Sequence, residues 1–161
     1  MSNKHSEELK SLIRTFGKKL LDLEETILNS KPNPNKWSKK EILGHLIDSA
    51  YNNHQRFARA WDNDNLIFAG YDQDAWVKKN AYQERDAKDV IYLFLAVNAH
   101  LADLVGKIDE KVLAKTTTNH NFDQIGMRPI ASGTPSNIDY LIEDYIYHLV
   151  HHLKQILDIN C

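Results

Sequence analysis

The stretch YIYHLVHHLKQI, residues 145–156, places His148, His151 and His152 within five residues of an otherwise aliphatic segment. At about 100° per residue, His148 and His152 lie some 40° apart on one helix face, so both rings can reach one point in space. An i, i+4 histidine pair is the arrangement by which a helix presents two neutral imidazoles to a single metal ion. Leu141 and Tyr145 fall close beside the pair. The apolar stripe of Ile138, Ile142, Leu149, Leu153 and Ile156 is centred further round, so the pair borders the core. His151 points toward the polar side with Asp144 and Gln155.

A third ligand must come from elsewhere in the chain. The segment KKEILGHLIDSAYNNHQRF offers His45 and His54. Periodicity places His45 on the flank of its helix near Ser49 and Arg56, and His54 nearer Leu43 and Ile47, and spacing alone leaves the choice open. Asp48 follows His45 by one turn and could orient a water or ligand, though an acidic helix residue is most often solvated surface. Arg56, three turns beyond His45, could bind a substrate carboxylate bidentately. It could equally pair with Asp62 or Asp48. Asn52 and Asn53 are poor helix formers in mid-helix and are placed to bond the loop that carries Tyr71, Asp72 and Gln73. Trp37, Trp61 and Trp76 read as packing anchors, and His100 and His120 as structural. Cys161 is the one cysteine and the last residue, so neither an internal disulfide nor a Cys-rich zinc site can be built.

These residues need a scaffold, and the hydrophobic period supplies one. Leu9, Leu12, Ile13, Phe16, Leu20, Ile27 and their neighbours predict a helix over about 6–29, ended by KPNPN at 31–35. Ser38 with Glu41 forms a capping box that opens a second helix running to about Trp61. The turn-rich 62–76 segment reads as an ordered loop with a short helical turn. A third helix spans about 84–106 and stops at Gly106. The 107–134 connection suggests extended strands or a small hairpin at most. A fourth helix opens at Thr134-Pro135 or Ser136 and runs to about Ile159. One tight and two long connections between four long helices predict an all-α four-helix bundle with crossover topology, occupying residues 1–161 as one domain.

The bulk properties exclude other classes. The chain has 161 residues and a formal net charge of -2, with no basic tract, so nucleic acid is not expected as a partner. The polar N-terminus lacks the apolar run of a signal peptide and no window approaches a membrane span, which makes a cytoplasmic protein without membrane contact the expectation.

Three segments together, NKWSKKEILGHLIDSAYNNHQRF, GYDQDAW and YIYHLVHHLKQI, resemble in order and separation the DinB/YfiT-like family of small bacterial metal-binding bundles. The shared pattern is a Trp-Ser helix start, a histidine seven residues after the serine, an arginine eleven further on, a Tyr-Asp-Gln loop and a terminal His-x3-His. The resemblance spans nearly the whole chain. It implies a divalent metal, zinc or nickel by ligand type, on His45, His148 and His152, and so selects His45 over His54. Three histidines with an open position are the arrangement of a catalytic site. Such a site could acidify a bound water toward pKa ~7 or hold a thiolate. The activities implied are metal-dependent hydrolysis of a small molecule and S-transfer with a low-molecular-weight thiol, with Asp48 and Arg56 as supporting residues and a homodimer as the expected assembly. The alternative is a non-catalytic metal-binding or dimerisation module.

Overall fold

The computed structural model describes residues 3–159, and four long helices carry its architecture: α1 (Lys4–Leu21), α3 (Lys39–Ala60), α5 (Ala87–Val105) and α8 (Ile138–Ile156). Shorter elements fill the connections: α2 (Glu25–Asn29), α4 (Gln73–Asn80), a 3-10 turn at Tyr82–Glu84, α6 (Glu110–Ala114) and α7 (Phe122–Ile125). Among the described residues there is no strand. Extended pairing is confined to two isolated bridges, Leu66 with His120 and Thr117 with Ser136. The fold is an all-α four-helix bundle, and no described helix is long and apolar enough to cross a membrane.

The order of packing is unusual for a bundle. α3 lies chiefly against α5 and α8, and α1 against α5 with a lesser contact to α8. Consecutive long helices α1 and α3 therefore sit across a diagonal, as do α5 and α8, and segments 22–38 and 106–137 are the crossovers. This topology brings α3 and α8, distant in sequence, side by side. Leu43, Leu46, Ile47 and Phe57 of α3, Ile91, Phe94 and Leu101 of α5, and Ile142, Leu149 and Leu153 of α8 form the core between them. Each such side chain contributes roughly 1.5–3 kcal/mol by leaving water.

The helix starts follow capping chemistry. Ser38 Oγ accepts from the Glu41 amide at 3.1 Å while the Glu41 carboxylate accepts from the Ser38 amide at 2.8 Å, which is the expected capping box. Asp86 caps α5 and Gly106 ends it.

Four sequence-based boundaries need correction. The first helix breaks after Leu21, and α2 resumes at Glu25. The apolar pattern runs through the break because Leu20 and Leu28 both reach the core. The first connection is consequently long rather than tight. In the 62–76 region the helical turn is a full two-turn helix, α4, capped by Asp72. The 107–134 connection carries two short helices and no hairpin. Finally, α8 begins after Asn137, whose side chain accepts from the Tyr140 amide at 2.9 Å. Ser136 does not cap: its amide and carbonyl pair with Thr117 at 2.9 and 2.8 Å, which holds it in extended backbone ahead of the helix, and its Oγ is buried without a partner. Residues 160 and 161, and with them Cys161, lie outside the described residues.

Candidate metal centre

Two turns into α3, His45 points across the bundle toward α8 and is 2% exposed. The Trp37 ring packs over it at a centroid distance of 5.1 Å. Its Nε2 stands 3.0 Å from the Nε2 of His148. The His152 ring closes the triangle, 5.1 Å from His45 and 4.7 Å from His148 between centroids. Gln155 fixes its orientation, with the amide oxygen 2.9 Å from His152 Nδ1. An amide oxygen only accepts, so Nδ1 carries the proton and the Nε2 lone pair is left for another partner.

The three ligand atoms lie within 4.8 Å of one another. Imidazole nitrogens bound to one zinc at its usual distance are about 3.3 Å apart at tetrahedral angles and about 3.0 Å at right angles, so this spacing fits a shared cation.

Electrostatics keep the three rings neutral at ordinary pH. Burial, followed by the neighbouring His152, pushes His45 down to about 4. Burial, followed by His152, His45 and His151, pushes His148 down to about 3. His152 is lowered as well, by burial first, against the opposing pull of Gln155. Neutral imidazole is the form that ligates a metal. The protein alone also leaves His45 Nδ1 buried without a hydrogen-bond partner. Two neutral Nε2 atoms at hydrogen-bond distance can share only one proton, whereas a cation between them accepts both lone pairs. The residues present fit a divalent ion.

The other histidines take no part. His54 stacks on His100 at 4.7 Å, away from this cluster. His151 faces solvent, as its helix position predicts. His120 is structural: its Nε2 reaches the Thr134 carbonyl at 2.7 Å and its Nδ1 accepts from the Phe122 amide at 3.2 Å.

A cavity of about 390 Å³ opens beside the cluster. Ser49, Asn53 and Arg56 continue its α3 wall, Tyr71 and Gln73 form one rim, residues 124–127 form another, and Leu141, Asp144 and Tyr145 line the α8 side. Arg56 is 7% exposed and its Nη2 donates to the Ala69 carbonyl at 3.1 Å. It makes no ion pair among the described residues, with Asp62, Asp48 or any other carboxylate. Burial lowers its pKa, while nearby Tyr71 acts in the opposite sense. Tyr71 is pushed up to about 12 by its own burial, partly offset by Arg56, so the phenol keeps its proton.

Asp48 does not reach the cavity. Its Oδ1 accepts from the Tyr82 hydroxyl at 2.7 Å and from Asn80 Nδ2 at 2.9 Å, and its Oδ2 is buried without a partner. Burial raises its pKa against those two hydrogen bonds. It ties α3 to the end of α4. Asn52 and Asn53 bond back to the carbonyls of Asp48 and Ser49 on their own helix, rather than to the Tyr71 loop, although Asn53 still lines the cavity.

Asp144 is the residue the sequence reading misplaced. It lies buried, where its Oδ2 accepts from the Met127 amide and its Oδ1 from the Arg128 amide, both at 2.8 Å. This anchors the 126–128 rim. The D-x3-H-x3-H spacing of Asp144, His148 and His152 is the signal that could have placed it on the cavity side.

Comparison with known proteins places the chain as follows. A family model described as the DinB superfamily matches residues 10–156. Among solved structures, the chain is similar to YfiT from Bacillus subtilis, described as a probable metal-dependent hydrolase with an unusual four-helix bundle topology. The two share 15% sequence identity with a TM-score of 0.72, over 99% of this chain and 87% of that one, a likeness of fold. No curated protein sequence matches the chain.

Proposed function

The chain belongs to the DinB superfamily, and on that premise we propose that it is a metal-dependent enzyme acting on a small molecule, with His45, His148 and His152 as the ligands of one divalent ion. The observation that carries this reading is the convergence of three neutral imidazoles, from two helices, at the wall of a 390 Å³ cavity. Three protein ligands leave coordination positions free for an outside molecule, which is how catalytic sites differ from closed structural ones. An all-nitrogen donor set of this type suits zinc or nickel.

When bound, such an ion supplies Lewis acidity and lowers the pKa of a water or a thiol beside it. That chemistry serves either hydrolysis or transfer to a low-molecular-weight thiol. The description of YfiT as a probable metal-dependent hydrolase supports the hydrolytic branch. The chain's own residues do the rest. Gln155 holds His152 in one tautomer, Trp37 screens the His45 ring from water, and the protonated Tyr71 phenol is a hydrogen-bond donor at the rim. Asp48, through Asn80 and Tyr82, positions the α3 segment that carries His45.

The test is metal content followed by turnover. Protein purified without a histidine tag should carry about one zinc or nickel per chain, and His152→Ala should remove it. The loaded protein should hydrolyse a member of a panel of esters, amides and lactones, or consume a thiol in the presence of electrophiles. Loaded protein inert across both panels overturns the enzymatic reading.

A further inference from the structure

The cavity contains a buried cation that the protein does not neutralise. Arg56 carries five N–H donors on a permanently charged guanidinium, and one contact, to the Ala69 carbonyl, is its hydrogen bond within the described residues. A buried charge without a counter-ion is unfavourable, and proteins ordinarily pair it. Around it the wall offers only neutral groups: Ser49, Asn53, Tyr71 and Gln73. The one carboxylate in the wall, Asp144, is committed to the Met127 and Arg128 amides and to Arg128 Nε at 3.4 Å. The three histidines at the other end supply no negative charge in either protonation state, so they cannot balance Arg56.

We propose that the cavity takes a small, elongated organic anion whose carboxylate pairs with Arg56 while its reacting end lies at His45, His148 and His152. This rests on the site reading above and adds the charge and length of the substrate. The length follows from the helix. Arg56 stands eleven residues beyond His45 on α3, which is about 16 Å along the axis. Both side chains lean back toward the N-terminus, and because the arginine is the longer of the two its guanidinium reaches to on the order of 10 Å from the histidine cluster. Ser49 and Asn53 stand between as intermediate rungs. With contact distances removed at both ends, an extended chain of about four to eight bonds spans the gap. The two N–H groups on one edge of a guanidinium match a carboxylate in a bidentate pair, which selects this anion over a neutral amide of the same shape.

The charge is tested on metal-free protein, where Arg56 acts without an added ion. Calorimetry should show hexanoate binding about tenfold or more tightly than hexanamide, the gap expected for a charge-assisted pair, and weakening with salt. Arg56→Gln should bring the two ligands to within about twofold, and Arg56→Lys should keep part of the preference. Nitrogen-15 NMR of the wild type needs no variant: the Arg56 Nε–H resonance should move with hexanoate and stay with hexanamide. The length is tested on zinc-loaded protein, where 6-mercaptohexanoate should bind about tenfold or more tightly than mercaptoacetate in the wild type and lose that advantage in Arg56→Gln. A wild type without carboxylate preference, a preference that survives Arg56→Gln, or an unmoved Arg56 resonance overturns the proposal. Hexanoate binding through Arg56 in a chain that takes up no zinc overturns the metal reading and leaves the anion subsite standing. Zinc uptake without carboxylate preference does the reverse.

Discussion

His45 Nε2 and His148 Nε2 stand 3.0 Å apart although 103 residues separate them. The contact exists because α3 and α8 are neighbours in a bundle where α1 and α3, and likewise α5 and α8, sit across diagonals. An up-and-down order of the same helices would give each a different neighbour. The unusual topology is therefore what assembles the candidate site.

Removal of any one ring should be felt at the shared point. His45→Ala, His148→Ala and His152→Ala are each expected to lower zinc affinity by more than the roughly 10- to 100-fold that loss of an outer hydrogen-bond partner costs. Gln155→Ala, which frees His152 Nδ1, should fall within that smaller range. His54→Ala and His151→Ala serve as controls with little change. Competition titration against a chromogenic chelator measures all six, and equal losses across them would count against a defined site.

The depressed histidines give metal-free protein a particular pH profile. In the unfolded chain these imidazoles take protons near pH 6.5. In the fold His45 and His148 resist protonation down to about 4 and 3. Between those limits the unfolded state binds more protons, so stability is intact above pH 6.5 and is lost as pH falls through the window. The slope is at most about 1.4 kcal/mol per pH unit for each such ring. Urea unfolding of wild type and His148→Leu at pH 7 and pH 5 isolates the effect: the variant should gain relative to wild type at the lower pH. A difference that does not change with pH removes the argument that these rings are held neutral. For the same reason zinc binding should persist below pH 6, where an exposed histidine site releases its ion to protons.

Gly44, next to His45, is a packing requirement rather than a conformational one. A Cβ there would collide with the Tyr82 ring, whose hydroxyl holds Asp48. Tyr82 opens the 3-10 turn, is 2% exposed and is tethered at its hydroxyl to Asp48, so its ring yields only by disturbing these contacts. Gly44→Ala, which raises helix propensity by about 1 kcal/mol, should nonetheless destabilise by about 1–2 kcal/mol net, because overpacking costs more than that gain. Thermal unfolding reads this directly, and a stabilised variant would show that the turn is loosely held. Zinc affinity should drop as well, because the displaced α3 turn carries His45.

Local chemistry was legible in the sequence wherever it is local in the fold. The Ser38–Glu41 capping box and the apolar periods of α3, α5 and α8 are short-range patterns, and they placed the long helices. The break at residues 22–24 was hidden because Leu20 and Leu28 keep the same period on both sides of it. His45 and His54 could not be separated by spacing, since which flank of α3 meets α8 is decided by packing between helices. The family pattern pointed to His45, and the structure brings that ring, rather than His54, to His148 and His152. Arg56 was visible as a residue type in register, but its lack of a counter-ion is a property of the folded chain alone. Asp144 was read as facing solvent because nothing in α8 announces that the 126–128 segment folds over it.

That segment supplies the last expectation. Asp144 is within the cavity wall, one turn before His148, and a carboxylate at that position could be mistaken for a fourth ligand. Its two oxygens are already occupied by the Met127 and Arg128 amides, and Arg128 is further held by the Tyr140 and Tyr147 rings, with its guanidinium 5.3 and 4.8 Å from their centroids. Asp144→Ala should therefore release the rim and leave the histidines in place. The freed amides lie in a partly exposed loop where water can replace the lost acceptor, so global stability should fall by only about 1–2 kcal/mol. Hydrogen exchange at Met127 and Arg128 should accelerate far more than exchange in α3 or α8. Zinc affinity should stay within about twofold of wild type, since no metal ligand has been lost. If instead affinity collapses as it does in His148→Ala while the two amides keep their protection, Asp144 belongs to the metal and the rim is held by something else.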